Sequence, residues 1–223
     1  MSLPKLIISG TGMEYPILIG NNLLVISVAY FVGCFSTGYY LVKFVGGKDI
    51  RQLGSGSTGA KNVGRILGKP GFVATLAGDI FKSVCIVLLA MHFGLRPWEV
   101  ILTIIAVVTG HIFPFQLGFR GGKGLSVALG AMGVFDYQMI AIILTATTIL
   151  SLMSRQLTLT LMVIIATAPV IGMVRGYSPL EVSGLVIISL LLIYAHRMNI
   201  KTSVLKIRAG LSDKNIGIHC KDR

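Results

Sequence analysis

The chain has 223 residues, of which 54% are hydrophobic and only 13% are charged. Together with a mean hydropathy of +0.83, this composition excludes an ordinary soluble globular domain. The net charge of +12 would fit a nucleic-acid-binding protein, but the cations cluster in a few short loops and at the C-terminus, as they do in membrane proteins. The sequence therefore predicts an all-α integral membrane protein that binds no nucleic acid.

The first predicted membrane span covers residues 22–45 and follows an N-terminal extension, residues 1–21. Prolines and glycines interrupt the extension, so it does not have the apolar core of a cleavable signal peptide. The span itself reaches the length of about 20 apolar residues that a transmembrane helix needs. Its small residues Gly33, Ser36 and Gly38 indicate close packing against a neighbouring helix.

The stretch of residues 53–70 is the longest polar interruption in the chain and reads L-G-S-G-S-T-G-A-K-N-V-G-R-I-L-G-K-P. It combines glycines, hydroxyls and cations and contains no acid. Loops of this kind offer backbone N–H groups to anions, so we interpret the stretch as an anion-binding loop at a membrane surface. Gly54, Gly56 and Gly59 formally match a dinucleotide fingerprint. A membrane span precedes them where a short strand is required, which excludes that interpretation.

The second predicted span, at about residues 71–93, contains the charged residues Asp79 and Lys82. Their spacing of three places both on one helix face, where they can pair. Charged groups inside a span face the protein interior or water rather than lipid. The sequence leaves open whether this is a buried structural pair or a functional one.

The third predicted span, at about residues 100–115, leads into a second glycine cluster at residues 118–124, which contains Lys123. The next apolar stretch is too long for one span, and Asp136 divides it into a short fourth span and a longer fifth. We leave open whether the short fourth span crosses the membrane fully. The sixth and seventh spans are predicted at about residues 157–174 and 182–195.

Most of the 20 Lys and Arg residues fall on one side of these seven spans. Only Lys5, Arg96 and Arg175 fall on the other side. Because Lys and Arg mark cytoplasmic loops, we expect the N-terminus outside and the C-terminus in the cytoplasm, with both glycine clusters at the cytoplasmic face. The predicted parts of the chain are the N-terminal extension (1–21), one multi-span membrane domain (22–195) and a basic cytoplasmic tail that contributes to the site (196–223).

His196 and Asn199 lie where the seventh span leaves the membrane. Their spacing of one helical turn places them on one helix face, directed toward the glycine clusters. The four histidines of the chain are dispersed and show none of the spacings of metal ligands. We therefore predict no metal.

Three longer motifs occur in the order G-S-G-S-T-G-A-K-N-V-G-R-I-L-G, G-H-I-F-P-F-Q-L-G-F-R-G-G-K-G and Y-A-H-R-M-N-I-K. They resemble the signatures of the bacterial, membrane-integral family of acyl-phosphate-dependent glycerol-3-phosphate 1-O-acyltransferases. The resemblance covers about residues 23–217, nearly the whole chain. The family usually has Asn at the position of Ser57 and Thr at that of Lys61, so these are the two places where substrate contacts are expected to differ.

The resemblance implies transfer of a fatty acyl group from acyl phosphate to the sn-1 hydroxyl of glycerol 3-phosphate. The products are lysophosphatidic acid and phosphate, in the first step of phospholipid synthesis. It also implies a multi-pass protein of the bacterial inner membrane with its active site at the cytoplasmic face. Its partners would be the two substrates and membrane lipid, with no obligatory protein partner. Because an acyl phosphate is already activated, neither CoA nor another cofactor is needed.

Five residues receive catalytic roles from the resemblance and the positions of the cations. Ser55 would position a phosphate or the developing oxyanion, Arg65 would bind phosphate through two hydrogen bonds, and Lys123 would neutralise the leaving phosphate. His196 and Asn199 would orient a substrate, and the general base is either His196 or an oxygen of the acyl phosphate. Further phosphate contacts are predicted at Gly54, Gly56, Ser57, Gly59, Asn62, Gly121, Gly122, Gly124, Ser154, Arg155 and Thr158.

Two other functions are compatible with the same residues. A small anion channel or exporter would use the cationic loops as a vestibule and Asp79 with Lys82 as an intramembrane gate. A lipid acyltransferase that takes its acyl group from acyl-CoA would share the substrate-binding loops but not the acyl phosphate donor.

Overall fold

The computed structural model describes residues 19–208, and within this range the chain is helical, with no strand. The predictions for the N-terminal extension and for the end of the basic tail concern residues 1–18 and 209–223, which lie outside the described residues. The α-helices are α1 (Ile19–Cys34), α2 (Thr37–Gly46), α3 (Ala60–His92), α4 (Pro97–Ile112), α5 (Leu125–Phe135), α6 (Tyr137–Ser154), α7 (Leu157–Ala166), α8 (Ala168–Val174) and α9 (Pro179–Arg208).

Five helical segments of the described range are long and apolar enough to cross a membrane, α1 with α2 counting as one. The pair α7 and α8 forms a sixth candidate, which bends by 41°. The remaining predicted segment, α5, has 11 residues and is a shorter apolar helix than the other candidates. The seven predicted segments thus occur as helices in the predicted order, which confirms the prediction of an all-α membrane protein. The prediction that all seven cross the membrane stays a prediction. The orientation of the termini stays a prediction.

Two helices extend beyond their predicted limits. α3 begins at Ala60, inside the stretch interpreted as a loop, and is broken at Gly68, where φ is 72° and ψ is −167°. Glycine tolerates this positive φ, and Pro70, which has no N–H to donate, follows the break. The cations of the stretch therefore lie on a short helix. α9 continues without interruption past the predicted end of the seventh span, to Arg208.

The first span packs closely against α4, as its small residues predicted. A Cβ atom added at Gly33 would overlap the carbonyl oxygen of Val107, and one added at Gly110 would overlap the carbonyl oxygen of Tyr30. The two backbones therefore touch, which requires glycine at both positions. α4 lies at the centre of the bundle and contacts α1, α3, α5 and α9.

Two buried carboxylates lie at the end of the bundle opposite to the glycine loops. Glu99 accepts hydrogen bonds from the Arg96 side chain at 2.9 Å and from Asn22 at 3.0 Å. Asp136 accepts from Arg175 at 2.7 Å and from the Tyr177 hydroxyl at 2.6 Å. Glu99 thus connects the start of α4 to α1, and Asp136 connects the end of α5 to the turn after α8. These contacts stabilise this end of the bundle.

Candidate active site

The first glycine loop is held in shape by Asn62, which is 2% exposed. Its side-chain oxygen accepts from the Ser55 N–H at 2.9 Å, and its amide nitrogen donates to the carbonyls of Leu53 at 3.0 Å and Ser57 at 2.9 Å. A Cβ atom at Gly54 would overlap this amide. Asn62 therefore shapes the loop that presents Ser55, and its own polar atoms are already occupied.

The N-terminus of α3 points into the same region. Gly59 precedes the helix, and the first N–H groups of any helix have no partner within it. These groups and the helix dipole favour a bound anion. Lys61 and Arg65 are exposed and lie one turn apart on the same helix face. The stretch therefore combines free backbone donors with two cations, as the anion-binding interpretation requires.

The second glycine loop folds back on the end of α4. The N–H groups of Gly121 and Gly122 donate to the carbonyls of Ile112 and His111, each at 3.1 Å. The carbonyl of Gly121 accepts from the N–H of Thr58, in the first loop, at 3.4 Å. The two glycine loops, which were predicted to share one face of the membrane, are therefore in direct contact.

Lys123 and the C-terminal part of α9 complete the site. The Lys123 ammonium donates to Asn199 Oδ1 at 2.7 Å. His196, one turn earlier on α9 and 6% exposed, has its Nδ1 atom 2.9 Å from the carbonyl oxygen of Leu192. Because a carbonyl oxygen only accepts, Nδ1 carries the imidazole proton and Nε2 is left as an acceptor. His196 is thus in the tautomer that a general base at Nε2 requires.

Three cations meet at this place without a carboxylate to balance them. Burial lowers the pKa of Lys123, and the charges of Lys61 and Arg65 lower it further. Among residues 19–208, none of the three forms an ion pair with Asp or Glu. The site therefore carries excess positive charge, which a bound phosphate would offset.

The turn after α6 stands apart from this cluster. The Ser154 hydroxyl lies 2.9 Å from the hydroxyl of Thr160 and accepts from the N–H of Gln156 at 3.3 Å. Arg155 is exposed, with φ of 54°. No hydrogen bond of the described range joins this turn to Lys123 or the α9 residues. The phosphate contacts assigned to Ser154, Arg155 and Thr158 stay predictions.

An apolar cavity of about 250 Å³ begins beside the cationic cluster and lies between α5, α6, α7 and α9. Leu125 lies two positions after Lys123, and Leu192 carries the carbonyl that binds His196, so the cavity adjoins both. No sequence pattern indicates this cavity, because a cavity arises from the arrangement of several helices. Its lining includes Leu125, Met132, Met139, Leu161, Leu185 and Leu192.

The pairing that the spacing of Asp79 and Lys82 allows is present, and His111, which the sequence analysis treated separately, joins it. Asp79 and Lys82 form an ion pair at 3.4 Å, and the side chains are 0% and 8% exposed. His111 joins them, with Nδ1 3.8 Å from the Asp79 carboxylate. The cluster is thus a buried structural pair joined by a third residue. Lys61, one of the cations of the first stretch and also a departure from the family pattern, belongs to the cationic cluster.

Comparison with known proteins gives one consistent result. The family model described as glycerol-3-phosphate acyltransferase matches residues 23–206. The glycerol-3-phosphate acyltransferase 1 of Desulfitobacterium hafniense (strain Y51) is 42% identical over 180 residues, which are 81% of this chain and 89% of the relative. The glycerol-3-phosphate acyltransferase of Geobacter sulfurreducens is 35% identical over 196 residues, which are 87% of this chain and 97% of the relative.

Two solved structures are similar to this chain. The first is a crystal structure of PlsY (YgiH), an integral membrane glycerol 3-phosphate acyltransferase, in its glycerol 3-phosphate form. It aligns with a TM-score of 0.76 at 31% identity and covers 86% of this chain and 94% of its own. The lysophosphatidic acid form of the same enzyme aligns with a TM-score of 0.72 at 30% identity, with the same coverage.

Proposed function

The chain belongs to the glycerol-3-phosphate acyltransferase family, and we propose that its acyl donor is an acyl phosphate. Membership confirms the predicted family and the predicted enzyme class, an acyltransferase that acylates glycerol 3-phosphate to lysophosphatidic acid. The observation that supports the donor is the unbalanced cluster of Lys61, Arg65 and Lys123 beside an apolar cavity. An acyl phosphate fits both features, because its phosphate group would bind the cationic cluster and its fatty acyl chain would occupy the apolar cavity.

The phosphate groups of both substrates would lie between the two glycine loops. The N–H groups at the start of α3 and the exposed Arg65 side chain face an anion from one side. Lys123, held by Asn199, faces it from the other. The acyl chain would enter the apolar cavity, where burying each methylene contributes about 0.8 kcal/mol. With the substrates bound in this way, the reactive carbonyl would lie at the boundary between the cationic cluster and the cavity.

In the proposed reaction, the sn-1 hydroxyl oxygen of glycerol 3-phosphate attacks the carbonyl carbon of the acyl phosphate. The new ester bond forms as the bond from that carbon to the phosphate oxygen breaks, and inorganic phosphate leaves. Positive charge from Lys123 stabilises the departing phosphate, and donors near Ser55 stabilise the oxyanion on the carbonyl, each donor contributing a factor of ~10²–10³ in rate. No covalent enzyme intermediate is involved.

The hydroxyl proton has two possible acceptors. Nε2 of His196 is free to accept, because Nδ1 donates to the Leu192 carbonyl. An oxygen of the departing phosphate is the other acceptor, since phosphate gains basicity as it leaves. Replacing His196 with Gln keeps a donor for Leu192 but removes the base. A loss of turnover that becomes smaller at high pH would identify His196 as the acceptor.

We also infer that the site lies at the cytoplasmic face of the bacterial inner membrane. The distribution of cations supports this, because residues 43–70, the second glycine loop, the turn after α6 and residues 196–223 together hold 16 of the 20 Lys and Arg residues. Glycerol 3-phosphate is a water-soluble substrate, so a loop site at a membrane surface suits its delivery. Labelling of single cysteines placed in these loops, in whole cells and in inverted vesicles, tests the orientation.

The central test uses purified protein with palmitoyl phosphate and glycerol 3-phosphate, and follows phosphate release and lysophosphatidic acid formation. We expect both products in equal amounts. Palmitoyl-CoA replaces palmitoyl phosphate in a parallel reaction. Product from the CoA ester but not from the acyl phosphate would contradict the proposed donor, and no product from either would contradict acyl transfer by this chain.

A further inference from the structure

A second polar cluster lies inside the bundle, and it is separate from the residues assigned to the reaction. Asp79, Lys82 and His111 are 0%, 8% and 2% exposed. The Lys82 ammonium lies 3.0 Å from His111 Nδ1 and 3.4 Å from the Asp79 carboxylate. That carboxylate also accepts from the hydroxyls of Thr37 at 3.1 Å and Ser126 at 3.3 Å. Burying such groups is costly, so a fold that retains them gains something specific from them.

One effect of the cluster is to stabilise the break between α1 and α2. The break leaves the carbonyl groups of residues 33–35 without the backbone partners that a continuous helix would give them. Lys82 donates to the carbonyls of Gly33, at 3.1 Å, and Phe35, while the Gln116 side chain donates to that of Cys34 at 2.6 Å. Unpaired carbonyls within a membrane are strongly disfavoured. Lys82 is therefore the main donor that allows the first span to break where it does.

The break sets the position of the first glycine loop. α2 starts directly after it, and a Cβ atom at Gly38 would overlap the carbonyl oxygen of Thr58. Thr37, in the same turn of α2, holds Asp79 on α3. Since the N–H of Thr58 donates to Gly121, a shift of α2 would be passed on to both glycine loops.

His111 sets the position of the second glycine loop. Lys82 has only protons to offer, so His111 Nδ1 accepts and the imidazole proton lies on Nε2. That edge of the ring faces Gly122, where an added Cβ would overlap Nε2. Gly122 also donates its N–H to the His111 carbonyl at 3.1 Å. The imidazole thus packs under the residue that precedes Lys123.

From these contacts we propose that Asp79, Lys82 and His111 are positioning residues for the acyl transfer. They fix the break in the first span and the second glycine loop in one arrangement, and so they hold Lys123 beside Asn199. The inference rests on the proposed function, because it assigns these residues an effect on the reaction. Misplacing a catalytic group by about 1 Å can cost ~10²-fold in rate, so a small shift of the loop has a large effect.

The first test compares His111→Leu with His111→Gln in the assay with palmitoyl phosphate. The amide of Gln can still accept from Lys82, whereas Leu cannot. We expect His111→Leu to lower kcat by about 30-fold or more, and His111→Gln to restore most of it. The matched control is Glu99→Gln, which alters another buried carboxylate far from the glycine loops and should stay close to wild type. Equal kcat values for His111→Leu and wild type would overturn the proposal.

The second test measures the contact between Gly122 and the His111 imidazole rather than the stability of the protein. Gly122→Ala places a methyl group against the imidazole and should lower kcat by about 100-fold. In a His111→Ala background the methyl has room, so the same change should cost less than about threefold. If the kcat losses of Gly122→Ala and His111→Ala simply multiply in the double variant, the contact is excluded and the proposal is overturned. No phosphate release by wild-type protein would instead contradict the acyl transfer itself, so the two failures are distinguishable.

Discussion

At the scale of single residues, the candidate site is marked by positive charges that no carboxylate of residues 19–208 pairs with. Elsewhere in the described part of the chain, Arg51, Arg96 and Arg175 each pair with a carboxylate. Among residues 19–208, Lys123 pairs only with the neutral amide of Asn199, and burial and neighbouring cations lower its pKa. An ammonium held in this way is poised to accept an anionic substrate, because binding relieves an existing repulsion.

We expect Lys123→Ala and Arg65→Ala each to lower kcat/KM for phosphate release by ~10²–10³, because each removes a charge that stabilises the departing phosphate. Arg197→Ala serves as the control. Arg197 is an exposed cation beside His196, and its guanidinium packs over the ring of Tyr194. Wild-type kinetics for both site variants would show that the site is elsewhere, even if acyl transfer itself is confirmed.

The pH dependence of the reaction follows from the same cluster. The lowered pKa of Lys123 means that its charge is present at low pH and is lost, as pH rises, before that of an ordinary lysine. The alkaline limb of kcat/KM therefore reports this titration. Lys61→Met removes a nearby positive charge, which raises the pKa of Lys123, so the limb should move to higher pH. If the alkaline limb of kcat/KM stays in place or moves to lower pH, Lys61 does not belong to the cationic cluster.

Much of this residue set was predictable, and what was not has a physical reason. Lys123 and Asn199 were assigned to one site because their motifs resemble a known family and lie on the same side of the membrane. The contact between the two loops, from Thr58 to Gly121, is a backbone hydrogen bond, which side-chain patterns do not encode. The partners of Lys82 are mostly carbonyl groups exposed by a helix break, and the sequence of the first span contains no proline to predict that break.

At the scale of helices, close packing depends on glycines whose neighbours are backbone atoms. α1 and α4 approach so closely that the carbonyls of Tyr30 and Val107 occupy the space of a Cβ atom. A backbone atom cannot rotate away as a side chain can, so a methyl group there must move a whole helix. These two helices also carry the break and His111, and their spacing is therefore coupled to the site.

Gly110→Ala should destabilise the protein by about 1–3 kcal/mol, because the added methyl overlaps the Tyr30 carbonyl and separates α1 from α4. Thermal unfolding in detergent measures this as a lowered Tm. Gly133→Ala is the matched control: it lies in α5 with no atom within 4 Å of its Cβ position, and alanine is the better helix former by ~0.5–1 kcal/mol. Equal effects of the two changes would contradict the packing described for Gly110.

At the scale of the whole molecule, polar groups bracket the apolar cavity. The cationic cluster lies at one end, near Leu125 and Leu192. At the other end, Asp136 follows α5 directly and binds the N–H of Met139, which lines the cavity, at 3.0 Å. Hydrogen bonds from Tyr177, Met139 and Arg175 lower the pKa of Asp136 although its burial opposes this. An acyl chain that starts at the cationic cluster therefore reaches the Asp136 carboxylate, whose hydrogen bonds are already made, at the far end of the cavity. The length of the cavity between these two ends limits the length of the acyl chain.

The final prediction follows from this limit. Ala168 lines the cavity at the start of α8 and is 6% exposed. Because α8 leads to Arg175, which binds Asp136, Ala168→Phe should fill the part of the cavity toward Asp136, away from the cationic cluster. Each methylene of the donor that loses its place costs about 0.8 kcal/mol, or about fourfold in kcat/KM. We expect palmitoyl phosphate to lose much more than octanoyl phosphate, which shifts the preference toward the short donor. Leu152→Phe, on the exposed face of α6, should leave the ratio of the two donors unchanged. An equal loss for both donors in Ala168→Phe would mean that the acyl chain does not extend into this cavity.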